Sequence, residues 1–154
     1  MDAQPTLFLL EFSQRTLDLN LDGLTHDESV AAPGGGNSAN WVLGHILVHR
    51  DKMLALLGEE KLLDAETTAV YDRGSEPLTD AARARPLDGL RAELARSHER
   101  LRDALGRATP ERLAAHAQTR SVGETLLFLA GHELYHGGQI GLLRRGAGHA
   151  GAIR

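Results

Sequence analysis

Gly131-His132-Glu133-Leu134-Tyr135-His136-Gly137-Gly138-Gln139-Ile140 sets two histidines four residues apart inside a mostly apolar run. Outward from this pair, Thr125, Leu129, His132, His136, Ile140 and Leu143 recur at steps of three or four, the spacing that gathers side chains on one face of a helix. Ser121-Val122-Gly123-Glu124 upstream fits a capping box, and Arg144 and Arg145 downstream suit a helix C-terminus before Gly146. A long helix over 121–146 follows, with histidines at core-facing positions.

The rest of the chain reads the same way, because alternating β-branched and aromatic residues are almost absent. A first helix is expected from about Gln4 to Gly23, with Leu7, Leu10, Leu17 and Leu21 on one face and Gln14 in the missing slot. Pro33-Gly34-Gly35-Gly36-Asn37-Ser38 breaks it off and offers a cap. A second helix starts near Ser38 or Asn40 and runs to about Gly58, carrying Trp41, Val42, Leu43, His45, Ile46, His49, Met53 and Leu56. Trp41 is expected in the core. Residues 59–86 form a long connection with a possible short helix at Glu60 to Ala65 and the irregular Tyr71 to Pro77, a length that suggests a segment covering a site. A third helix spans about Leu87 to Arg107, with Leu87, Leu90, Leu94, Leu101 and Ala104 or Leu105 as its seam, and Thr109-Pro110-Glu111 starts one more helical turn. The expected fold is all-α, a four-helix bundle in a single domain over 1–154.

Composition narrows the chemistry. The chain has 154 residues, 42% hydrophobic and 25% charged, as in ordinary globular domains. With no cysteine, disulfides, thiolate metal sites and a cysteine nucleophile are excluded, so any metal must bind nitrogen or oxygen. A net charge of −4 with scattered cations argues against nucleic acid as a partner. No stretch has the length of a membrane span or the basic start of a secretion signal, so the expected location is the cytoplasm.

The histidines carry the functional signal. His132 and His136 share one helix face, with Cβ atoms about 5–6 Å apart, near enough to hold one ion. His45 and His49 do the same on the second helix. Neutral imidazoles buried without partners are costly, so two such pairs point to a metal rather than to isolated core histidines. His26, His98, His116 and His149 fall in loops, on a charged face or near the terminus, where solvated surface positions are expected. Tyr135 faces away from the histidine stripe and is expected to pack.

His132-Glu133-Leu134-Tyr135-His136 also satisfies H-E-x-x-H, the zinc-protease pattern. The extended form needs glycine at 139 and histidine at 142, where the chain has Gln139 and Leu142, and no acidic residue follows His136. A third ligand must come from upstream, and the second helix with its inward histidines is the donor.

Those residues resemble the DinB/YfiT-like family of small metal-binding four-helix bundles, through Asn40-Trp41-Val42-Leu43-Gly44-His45-Ile46 and the 131–140 stretch. The resemblance extends over essentially the whole chain in length, helix order and the long second connection. It implies a left-handed up-down-down-up bundle, usually a homodimer, and a divalent metal, most often zinc or nickel, on His45, His132 and His136, with water completing the shell. His49 matches no ligand position and is expected to line or support the site. Some members resemble transferases or isomerases that use a low-molecular-weight thiol such as bacillithiol or mycothiol, others resemble hydrolases, and several are linked to DNA damage responses. For this chain the expectation is a metal-dependent thiol transferase or hydrolase acting on a small-molecule substrate; the alternative is a non-catalytic, metal-stabilised dimer in stress response or small-molecule binding. Candidates for the chemistry are metal-bound water, Gln139 at the pocket edge, and Glu133, which serves as a base only if it points into the site.

Overall fold

The computed structural model describes residues 2–32, 34–76, 78 and 81–152; Pro33 and Pro77, which belong to the expected break and connection, lie outside them. Four long helices form the body: α1 (Gln4–Leu21), α3 (Ala39–Leu56), α5 (Leu87–Arg107) and α7 (Val122–Gly146). Shorter helices α2 (His26–Val30), α4 (Ala65–Tyr71) and α6 (Pro110–Ala114) punctuate the connections. The all-α expectation holds, with one addition: a two-residue antiparallel pair, β1 (His116–Ala117) with β2 (Arg120–Ser121), turns the chain into α7 around Gln118, whose φ is 63°.

Local chemistry sets the boundaries. The Ser38 and Ser121 side chains accept hydrogen bonds from Trp41 and Glu124 backbone N–H groups, and Glu124 closes a full capping box. Thr109 caps α6, with Pro110 at its first position. The short helix expected at 60–65 instead lies at 65–71, because Asp64 accepts from Thr67 N–H at 2.6 Å and starts the helix there.

Pairs of contacts give the helix directions. Ser13 meets Glu133 and Asn20 meets Gly137, so α1 and α7 run parallel. Asn40 meets Arg85 and Arg50 meets Leu94, so α3 and α5 run parallel. Arg50 meets Glu133, whereas Val42, earlier on α3, shares a cleft with Leu142 and Leu143, later on α7, so these two helices are antiparallel. The long helices therefore run up, down, down, up.

The core has two apolar halves. One gathers Leu17, Leu21, Leu43, Ile46, Leu90 and Ile140, the other Leu10, Met53, Leu54, Leu101, Leu126 and Ala130. Between them lies a buried polar belt. Arg50, fully buried, donates from Nε to Glu133 Oε2 at 3.0 Å and from Nη2 to Oε1 at 2.5 Å, while its Nη1 reaches Gln14 Oε1, the Leu94 carbonyl and Ser97 Oγ at 2.8–3.0 Å. Ser13 Oγ donates to Glu133 Oε1 at 2.6 Å. Nearly every lone pair and proton of this ion pair is satisfied, the condition under which a buried charge is tolerated. His98, expected on a solvated face, is instead buried beside this belt at 9% exposure, with Glu11 3.4 Å from its Nε2. His149 is half-buried and reaches Glu28 on α2 at 3.1 Å. Among the described residues, no helix is long and apolar enough to cross a membrane.

Candidate metal centre

His45 on α3 and His132 and His136 on α7 come together in the groove between these antiparallel helices, each offering one ring nitrogen, all within 4.8 Å of one another. His132 Nε2 and His136 Nε2 stand 3.1 Å apart, close to the separation of about 3.3 Å that two nitrogens adopt on a tetrahedral ion at a bond length of about 2.05 Å.

The opposite sides of two rings show which nitrogen is free. His45 Nδ1 lies 2.8 Å from the Tyr71 carbonyl oxygen, which can only accept, so Nδ1 carries the proton and the neutral ring keeps its lone pair on Nε2. His136 Nδ1 donates to Gln139 Oε1 at 2.6 Å, with the same result. A ring held by its outer N–H, with its inner nitrogen bare, is how metal-binding histidines are oriented. Burial holds His45, His132 and His136 below the usual histidine range, which keeps the rings neutral as ligands must be. The residues fit a divalent ion.

The Asn40 to His45 segment builds its half of the site position by position. Asn40 Oδ1 accepts from the Tyr71 hydroxyl at 2.9 Å, and its Nδ2 donates to the Arg85 carbonyl at 2.9 Å. Trp41 is buried and stacks on the His45 ring, centroids 4.8 Å apart and planes 13° from parallel. At Gly44 an added Cβ would overlap Cγ, Cδ1 and Cε1 of the Tyr71 ring, so only glycine lets Tyr71 pass close enough to bring its carbonyl to His45. The long connection thus reaches the site through the last residue of α4. Asp51 anchors the start of that connection by accepting from the Leu62 and Leu63 N–H groups at 2.9 Å each.

His49 packs against His45 and His132, with ring centroids 4.5 Å away in both cases, but its nitrogens stay outside the converging group. Burial, reinforced by His45 and Lys52, pushes it down to about 3, so it lines the site as a neutral ring. Glu133 is 3% exposed, and both carboxylate oxygens are taken by Arg50 and Ser13. It locks α7 to α3 rather than serving as a free base. Gln139, foreseen at the pocket edge, holds His136 and donates from Nε2 to the Tyr135 hydroxyl at 3.3 Å. Tyr135 does not pack in the core. It is 65% exposed and lies edge-on to His136, 5.2 Å away.

The sequence reading missed Arg50, Tyr71 and the role of Gly44. Arg50 carried a signal, a charge in the middle of a helix apolar nearly all round; Tyr71 lay in an irregular stretch with no pattern to connect it to His45.

A cavity of about 540 Å³ continues the α3–α7 groove one turn beyond the histidines, bounded by Lys52 and Leu56 on α3 and by Val122 and Leu129 on α7.

Comparison with curated proteins finds no match. A family model described as the DinB superfamily matches residues 9–140, a span that includes His45, His132 and His136 and all four long helices for most of their lengths. The chain belongs to the DinB superfamily.

Proposed function

We propose that the protein is a metal-dependent enzyme acting on a small molecule, with zinc or nickel held by His45, His132 and His136. The observation that carries this reading is the one-sided ligand set: three neutral nitrogens from two helices, with a cavity continuing the same groove. Three protein ligands leave coordination positions open, the layout of catalytic rather than structural ions. Bound there, a divalent ion lowers the pKa of a water or thiol enough to supply a nucleophile near neutral pH.

The chain's own residues orient and shield. The Tyr71 carbonyl and Gln139 fix two rings, while Trp41 and Phe128 lie face-on to His45 and His132 and limit access by water. Glu133 is committed to Arg50, and Asp72, a carboxylate whose charge reaches His45, is paired with Lys52. With no cysteine in the chain, a thiol nucleophile must come from solution as a low-molecular-weight thiol of the bacillithiol type.

A second copy of the chain is part of the proposal. Phe8 and Phe12 on α1 and Phe128, Tyr135 and Leu142 on α7 are 53–71% exposed on neighbouring helices, large apolar side chains of the kind a dimer interface buries. Light scattering on Phe12→Glu reads this directly, with a shift from dimer to monomer expected.

The test of activity is a two-arm assay on metal-loaded protein, one arm pairing bacillithiol with a panel of electrophiles, the other offering small esters and amides to water. Turnover in either arm that disappears with His132→Ala supports the proposal. Full metal occupancy with no turnover in both arms would transfer the protein to the other reading, a non-catalytic, metal-stabilised small-molecule-binding dimer.

A further inference from the structure

The chain contains only two lysines, Lys52 and Lys61, against 15 arginines, and both line the cavity beside the histidines. Arg112 lines it too, and among the described residues no carboxylate does. In a protein whose formal net charge is −4, a concave surface lined by three cations, one of them paired with Asp72, favours anions over cations.

The three cations are not equally engaged. Lys52 is paired with Asp72 at 3.0 Å and lies close enough to the histidines for its charge to bear on His45, His49 and His132. Arg112 uses Nη2 on the Leu56 carbonyl at the end of α3, which places the guanidinium at the end of the cavity away from the histidines. Lys61 lines the cavity, is exposed, and has no ion-pair partner among the described residues. From His45 to Leu56 the helix rises about 16 Å, so the metal centre and the Arg112 end are separated by the length of a small elongated molecule. The wall between them is apolar, formed by Leu56, Val122 and Leu129.

We infer that the cavity binds an elongated organic anion, its carboxylate or phosphate held by Lys61 and Arg112, its apolar body on Leu56, Val122 and Leu129, and its far end directed to the three histidines. This rests on the metal-centre reading only for what happens at that far end. The charged end selects the ligand and sets its direction; the apolar wall measures its length. Ligand sites of this size are mostly apolar with a few placed polar groups, as this one is.

The probes are decanoate, decyl phosphate and decylamine, titrated by calorimetry below their micelle concentrations into full-length, zinc-loaded protein. Either anion should bind at least about tenfold more tightly than the amine, and shortening decanoate to octanoate should weaken binding by roughly three- to fourfold per methylene. Which anion is tighter identifies the headgroup. Lys61→Glu, at an exposed loop position, should weaken anion binding about tenfold with an unchanged melting temperature; Arg112→Gln gives a second reading at the other lining cation unpaired among the described residues. Equal binding of amine and anions, or anion binding indifferent to Lys61→Glu, overturns the inference. Zinc retention without anion binding sinks this inference and leaves the metal centre standing. Lys61-dependent anion binding by a protein that takes up no zinc sinks the metal centre and leaves the cavity assignment standing.

Discussion

Arg50 and Glu133 meet at 2.5 Å in the middle of the bundle, and each sits on one of the two helices that carry the histidines. Glu133 directly follows His132, so the ion pair fixes the rotation and register of α7 against α3 at the level of the site. A zinc-protease motif is thereby put to structural use, its glutamate tied to an arginine.

Breaking the pair from one side leaves an uncompensated buried charge. Glu133→Gln or Arg50→Met alone should therefore cost about 3–5 kcal/mol in denaturant unfolding, and the double variant less than the sum. Additive losses would show that the two side chains do not act as a unit.

Gly44 makes room for Tyr71. Gly44→Ala should cost about 1–3 kcal/mol by overpacking and should also lower metal affinity, since Tyr71 moves off His45 Nδ1. A stable variant with wild-type affinity would show that Tyr71 does not position the ligand.

Gln139 touches His136 from outside the cluster. Gln139→Ala should reduce metal affinity about 10- to 100-fold with little change in unfolding free energy. Competition with a chromophoric chelator measures it, and an unchanged constant would remove Gln139 from the site.

Burial holds His45, His49, His98, His132 and His136 below the usual histidine range, His49 at about 3. An unfolded ring takes up a proton below about pH 6.5, whereas these folded rings resist it, so their stabilising effect is complete above that pH and is lost as pH falls. The melting temperature of chelator-treated protein should drop from pH 7 downward through pH 5, with loss continuing towards pH 3. His98→Gln, at a ring outside the cluster, should flatten part of that slope; a melting temperature independent of pH over this range would contradict the burial of these rings.

Much of the bundle and site was legible because periodicity and spacing are local. The 131–140 stretch, the capping box at Ser121 and the apolar faces of the four helices follow from steps of three and four. Even the polar belt left a trace. Gln14 interrupts the apolar face of α1 and Ser97 that of α5, and both are partners of Arg50. What the spacing could not show was which charge those gaps serve, because Arg50 lies 36 and 47 residues away from them. Tyr71 was hidden for the same reason, its carbonyl meeting His45 across 26 residues of chain. His98 was misplaced because its neighbours on α5 are charged, and only the tertiary structure, which buries it 3.4 Å from Glu11, reveals its place.

Whether His45, His132 and His136 form one metal site is read from metal content. Elemental analysis of purified wild-type protein and of the His45→Ala, His132→Ala, His136→Ala and His49→Ala variants, each checked for folding by circular dichroism, tests it most directly. Close to one divalent ion per chain is expected in the wild type, background in each of the first three variants, and substantial retention in His49→Ala. Background metal in the wild type after incubation with zinc and nickel, or full occupancy in any of the first three variants, would contradict it.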